Sequence, residues 1–281
     1  MTTFLRFAFN SNLVLISVLI SKCLLSYTQD IKKVPFAIGE TVQLRSEILN
    51  ETRTLNIYLP LGYSPDSSKT YAVIYLLDGS ADEDIIHIAG LVQFFSFPWI
   101  NIMPETIVVG IANVDRKRDF TSPTEVEKDL LDYPTTGHSS EFIDFLEKEI
   151  IPFVEKNYKT GSGKTIIGQS LGGLLATEIL FFRPEMFDNY FIISPSLWWN
   201  NEYLLDKEMN FDLSGKSIYI AVGKEGKLMV GPSKKLYKIL KSMKAPDTQL
   251  YFQYFKDKTH GDVLHQAIYE GFVKMFNPQV D

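Results

Sequence analysis

Between residues 164 and 182, three kinds of sequence follow one another directly. Lys164-Thr165-Ile166-Ile167 is short and rich in β-branched residues, as strands are. Gly168-Gln169-Ser170-Leu171-Gly172-Gly173 comes next, and then Leu174 to Phe182, which contains good helix formers. Strand, sharp turn and helix are the context that turns G-x-S-x-G into a nucleophile elbow. A serine at such a turn holds a strained backbone, and side chains two residues to either side would collide with it. Gly168 and Gly172 remove those side chains. The helix starting near Leu171 points its free N–H groups and positive dipole end at the serine, where an oxyanion would form. The competing reading is a glycine-rich turn with an incidental serine.

The rest of the chain supplies the sheet that an elbow needs. Thr41–Leu49 and Thr52–Leu59 read as a β-hairpin turning at Asn50-Glu51, with Leu55, Ile57 and Leu59 on one face. Near-continuous apolar runs at 71–77 and 106–112 read as buried central strands. Further strands are expected at 189–193, 217–222 and 250–255. Helices are expected at 85–95, from Ser139 or Ser140 to about 154, at 233–243 and at 263–276. Residues 113–136 read as a long polar loop. A hairpin followed by alternating strands and helices implies an α/β fold: an open, mostly parallel sheet with helices on both faces. On such sheets, active sites lie at the carboxyl ends of the strands.

A serine hydroxyl needs a base, and the base needs an orienting carboxylate. After this elbow the expected order is Ser, Asp/Glu, His. The histidines are His87, His138, His260 and His265. The first two precede the serine, and His265 lies within the last helix. His260 lies just past a strand end beside Gly261, and is the candidate base. Glu225, past the strand 217–222, is the candidate acid; Asp206, Asp212 and Asp257 are rivals. The oxyanion donors are expected to be the N–H of Leu171 and that of Gly79 or Ser80, after an earlier strand.

Composition excludes several other classes. The 281 residues carry 28 Lys and Arg against 34 Asp and Glu, a formal charge of −6, with no basic run for nucleic acid. The single cysteine, Cys23, excludes an internal disulfide framework, and its place in the N-terminal segment argues against a thiolate nucleophile or thiolate zinc site. No His/Asp/Glu spacing suggests a metal, and no cofactor is expected. Gly161-Ser162-Gly163-Lys164-Thr165 resembles the tail of a phosphate loop, but Tyr158 stands where its first glycine belongs and a strand follows. Asn50-Glu51-Thr52 is a glycosylation sequon, meaningful only in a host that modifies it. Near the N-terminus, Arg6 precedes the apolar run Leu13–Ile20, which is too short to span a bilayer. Residues 1–27 therefore read as an export signal or N-terminal targeting segment, with an uncleaved anchor or a wrongly placed start as the alternatives, and 28–281 as one catalytic domain, periplasmic or secreted, with no membrane span after signal removal.

These stretches together resemble the esterase-D-like branch of the α/β-hydrolases, which includes feruloyl esterases and mycolyltransferases. Within it the chain is most similar to enterochelin-esterase-like hydrolases, which open siderophore trilactones. The resemblance rests on Thr52–Pro60, Tyr75-Leu76-Leu77-Asp78-Gly79, the Arg-x-Arg-Asp core of 113–123, the elbow, Ser194-Pro195-Ser196-Leu197-Trp198-Trp199, Gly223-Lys224-Glu225 and Thr259-His260-Gly261. It spans residues 40–276 and departs at His138, where relatives commonly have glycine. It implies the α/β-hydrolase fold, Ser170, Glu225 and His260 as nucleophile, acid and base, and a small-molecule ester as substrate. Some members work with a Ser-His dyad, which leaves the acid open. It also implies that Arg116 or Arg118 reaches the pocket, against the alternative of pairing with Asp119. Trp198 and Trp199 would form an aromatic wall, unless they are core. The alternatives are a carbohydrate acetyl or feruloyl esterase, an acyltransferase on the same scaffold, and a non-enzymatic binding protein of this fold.

Overall fold

The computed structural model describes residues 31–207 and 212–276. Its contacts divide the chain into two units, Met1–Ala37 and Ile38–Asp281. The described part of the first, residues 31–37, is irregular and exposed. The proposed export segment lies outside the described residues.

The second unit is built on an eight-stranded sheet. Its strands are β1 (Gly39–Ser46), β2 (Glu51–Tyr58), β3 (Tyr71–Leu76), β4 (Thr106–Ile111), β5 (Thr160–Gln169), β6 (Asn189–Ile193), β7 (Ser217–Gly223) and β8 (Gln249–Phe255). Their spatial order is β1-β2-β4-β3-β5-β6-β7-β8. β1 and β2 pair antiparallel, as do β2 and β4, and every pairing from β4 to β8 is parallel. From β3 the chain runs one way to β4 and the other way to β5. This is the topological switch point, where open α/β sheets place their ligand crevice.

The period of two along each strand divides the core into two layers. Val73, Tyr75, Val109 and Ile166 join one buried cluster, and Ile74, Leu76, Val108 and Ile167 join the other. The helices are α1 (Ile85–Phe95), α2 (Arg116–Phe120), α3 (Glu127–Asp132), α4 (Ser139–Phe145), α5 (Ile151–Asn157), α6 (Leu171–Phe182), α7 (Lys227–Met243) and α8 (Val263–Phe276). Residues of α4 to α7 fill the first layer, and α1 and α8 fill the second. Each large apolar side chain buried in this way contributes about 1.5–3 kcal/mol.

Three local expectations are corrected. The 113–136 segment is not a plain loop, because α2 and α3 form within it. Asp115 starts α2 by accepting the Arg118 N–H at 3.0 Å. The helix expected at 233–243 begins earlier, at Lys227, where Val230 N–H already bonds the Gly226 carbonyl. Pro232 therefore lies inside the helix rather than ahead of it. The helix expected from Ser139 passes through a π-turn at Leu146–Ile150. Pro152 cannot donate to the carbonyl four residues back, and the Ile151 N–H reaches back five residues to Leu146 instead.

Candidate active site

The elbow forms where β5 meets α6. Ser170 has φ 60° and ψ −118°, a backbone that residues with a side chain rarely adopt. Three contacts hold it there. Its N–H donates to the Ile193 carbonyl at 3.0 Å, and its own carbonyl accepts from Leu174 and Ser196, each at 2.9 Å. A Cβ on Gly168 would lie 2.3 Å from the Gly172 carbonyl oxygen, so glycine is obligatory at that end of the turn. The N–H groups of Leu171, Gly172 and Gly173 precede the first intrahelical bond and have no partner within α6.

His260 lies in the turn after β8, and Glu225 in the turn after β7. The Nδ1 of His260 is 2.5 Å from Glu225 Oε2. The other carboxylate oxygen, Oε1, accepts from Ser194 Oγ at 2.6 Å and from the Gly223 N–H at 2.9 Å. The Glu225 side chain is only 4% exposed. Burial alone would push its carboxyl up, but hydrogen bonds from His260, Ser194 and Gly223 outweigh it and hold the group below its usual range. An ionised carboxylate can only accept, so Nδ1 carries a proton, and in the neutral ring it is Nε2 that holds the lone pair. The rival acids are placed elsewhere: Asp206 pairs with Lys235 at 2.7 Å, Asp212 accepts from Ser214, and Asp257 is exposed.

Ser170, His260 and Glu225 line one cavity of about 390 Å³, together with Tyr133, Ser196, Trp198, Lys224 and Met229. Ser196 Oγ is 3.3 Å from Ser170 Oγ. The cavity is part aromatic and part polar, and is open at the carboxyl ends of β5 to β8. Among the described residues, no group of three or more His, Cys, Asp or Glu could hold a metal ion. Nor is any helix among them long and apolar enough to cross a membrane.

Several expected site residues fall elsewhere. Trp199 is fully buried and donates its Nε1–H to the Ser122 carbonyl at 3.1 Å, so it is core and only Trp198 stands at the cavity. Arg118 does not reach the cavity. Its Nε donates to Asp119 at 2.7 Å and its two Nη atoms to Glu51 at 3.0 and 2.5 Å. The same carboxylates hold the fully buried Arg53, so Arg118 closes a structural network. Arg116 grips Asp78 with Nε at 2.6 Å and Nη2 at 2.9 Å, and Nη2 also donates to the Gln169 carbonyl at 3.1 Å. These contacts tie the elbow backbone to Asp78. The Gly79 N–H is also taken, by the Ile111 carbonyl at 3.0 Å, because Gly79 extends β3 against β4. The Ser80 N–H meets the Glu83 carboxylate at 3.1 Å. Leu171 keeps its place at the head of α6. His138 is exposed and faces Glu141, and His87 and His265 stack edge to face on each other.

Sequence reasoning did not single out Tyr133, Ser196, Lys224, Met229 or Gln169. Ser196 and Lys224 stood inside motifs already noted. Tyr133 carried no signal, because its place depends on ring contacts with the distant Trp198 and Trp199.

Known proteins share this architecture. The family model described as "Putative esterase" matches residues 46–265. The ferri-bacillibactin esterase BesA of Bacillus subtilis is 32% identical over 185 residues, 62% of this chain and 64% of that protein. The siderophore enterobactin esterase of Emericella nidulans is 38% identical over 86 residues, 30% of this chain and 28% of that protein. The match thus spans less than two thirds of either relative. Among solved structures, the BES protein from Bacillus cereus superposes with a TM-score of 0.75 at 28% identity, covering 87% of this chain and 98% of that one. An IroE-like serine hydrolase from Shewanella oneidensis gives 0.74 at 28% identity, covering 85% and 80%.

Proposed function

The chain belongs to the esterase family whose model spans residues 46–265, and from that premise we propose that it hydrolyses carboxylic esters through an acyl-enzyme on Ser170. The observation that carries the proposal is the convergence of Ser170, His260 and a buried, ionised Glu225 on one cavity. Ser170 Oγ attacks the ester carbonyl as His260 Nε2 takes its proton. Glu225 holds the ring by Nδ1 and stabilises the imidazolium. The Leu171 N–H and the positive end of α6 face the oxyanion. The imidazolium then protonates the leaving alcohol. Water, deprotonated by the same nitrogen, releases the acid and restores the serine.

The proposed substrate is a siderophore ester of the trilactone kind. The relatives named for ferri-bacillibactin and enterobactin support this, as do the aromatic Tyr133 and Trp198 and the cationic Lys224 in the cavity. Residues 1–27 would direct export, and the folded catalytic unit would act outside the cytoplasm.

Two measurements test the reading. Ser170→Ala should abolish turnover of 4-nitrophenyl acetate without lowering Tm, and retained turnover would overturn the serine's role. A panel of a trilactone siderophore, a feruloyl sugar and an acetyl sugar should show highest kcat/KM on the trilactone. Preference for the feruloyl sugar would reassign the substrate to plant-wall esters.

A further inference from the structure

The elbow and the loop bearing His260 come from different parts of the chain, yet the reaction needs them registered to a fraction of an ångström. The residue before the nucleophile joins them. Gln169 Nε2 donates to the backbone carbonyl of His260 at 2.6 Å. The Gln169 carbonyl accepts from Arg116 Nη2 at 3.1 Å, and that guanidinium is clamped on Asp78 beyond β3. The backbone of Gln169 is also fixed within the sheet, in register with Ile193 of β6. Its side chain therefore reaches out from a rigid platform.

The loop it reaches has other ties, but they lie to either side of the His260 carbonyl. Lys258 carbonyl accepts from the Lys224 N–H at 2.6 Å. Asp262 accepts from the N–H and hydroxyl of Thr259, both at 2.6 Å. The Glu225 carboxylate fixes one ring nitrogen of His260. A single bond at Nδ1 leaves the ring free to pivot about it, and the ring is 45% exposed, so packing restrains it little. Holding the carbonyl of the same residue fixes the backbone from which the ring hangs and so narrows that freedom.

We propose that Gln169 is a positioning residue for the general base, registering the His260 loop against the nucleophile through its amide. This rests on the assignment of Ser170 and His260 above. It touches neither substrate nor reacting atoms. The physical requirement is a donor at the end of a two-methylene side chain. A leucine fills similar space without donating, and a glutamate of equal size presents an ionised oxygen to the carbonyl instead. A misplacement of about 1 Å in a reacting group costs up to about a hundredfold in rate.

The test uses Gln169→Leu and Gln169→Glu in the full chain, with Ser170→Ala beside them. Turnover of 4-nitrophenyl acetate is measured as kcat and KM, normalised to the folded fraction from near-UV circular dichroism. Positioning predicts kcat per folded molecule lower by about tenfold to a hundredfold in both variants, KM within about twofold of wild type, and slower labelling by a fluorophosphonate to the same degree. Measured against wild type at the same pH, Gln169→Glu should recover part of that loss as pH falls and its carboxyl regains a proton to donate, whereas Gln169→Leu should not. Wild-type kcat per folded molecule in Gln169→Leu would overturn the inference, as would a loss confined to KM. Retained turnover in Ser170→Ala would instead overturn the site reading itself, so the two failures are distinguishable.

Discussion

Replacing Glu225 by glutamine tests the charge and the tautomer of the base together, and the structure says which matters more. The two carboxylate oxygens are not equivalent. Oε1 takes donors from Ser194 and Gly223, and Oε2 faces His260. A glutamine must keep its oxygen against the two donors, which turns its NH₂ towards Nδ1. The imidazole then has to accept at Nδ1, its proton moves to Nε2, and the lone pair that takes the serine proton is gone. Loss of charge alone is a smaller effect. Charges about 4 Å apart interact by about 4 kcal/mol at an effective dielectric near 20. Solvent around the 45% exposed ring roughly halves that. About 2 kcal/mol corresponds to roughly 30-fold in rate. Glu225→Ala, which loses charge but imposes no tautomer, should fall by about that factor. Glu225→Gln should fall further, towards the roughly 10⁴-fold seen when a triad acid becomes an amide. The assay is kcat on 4-nitrophenyl acetate at neutral pH, with Tm as the control for folding. Wild-type kcat in Glu225→Gln would refute the reasoning, and would reduce the site to a Ser-His dyad.

Two further perturbations address stability. Ser170→Gly should abolish turnover yet raise stability by about 1 kcal/mol, because the strain of a side chain at φ 60° is released, less the entropy cost of glycine; thermal denaturation checks it. Glu178, buried in α6, has its carboxyl pushed up by burial from 4.5 to about 7, despite the hydrogen bond from Ser139. The unfolded chain releases this proton near 4.5 and the folded one near 7, so the folded state loses stability as pH rises across that window. Glu178→Gln removes that loss, and its advantage over wild type in the unfolding free energy from urea titrations should grow from pH 4 to pH 8, up to about 3 kcal/mol.

Much of this arrangement was legible in local sequence. Buried strands such as 71–77 announce themselves by apolar runs, and the amphipathic helices by period. The turns after β5, β7 and β8 hold the proposed nucleophile, acid and base in the expected chain order, and the fold carries Ser170, Glu225 and His260 to one cavity. What was not legible depends on distant partners. Arg116 and Arg118 are alike in sequence, but one ties Asp78 to the Gln169 carbonyl and the other closes a network around the buried Arg53. Trp198 and Trp199 differ by one position, which on a turn is enough to send one ring to the cavity and the other into the core. Gly79 was expected at the oxyanion because it follows a strand end. A Cβ there would sit 2.3 Å from Gly110 Cα, so its glycine serves the close approach of β3 and β4. The helices α2 and α3 were hidden by polar residues whose partners lie outside the segment, such as Asp129, which accepts from the Asn200 N–H.

The central claim is that Ser170 becomes acylated. Mixing the protein with an activated ester, quenching within milliseconds and measuring intact and peptide mass tests it directly. The account predicts an increment of one acyl group on the peptide containing Ser170, absent from Ser170→Ala. An adduct on another residue, or turnover of the ester by Ser170→Ala, would contradict it.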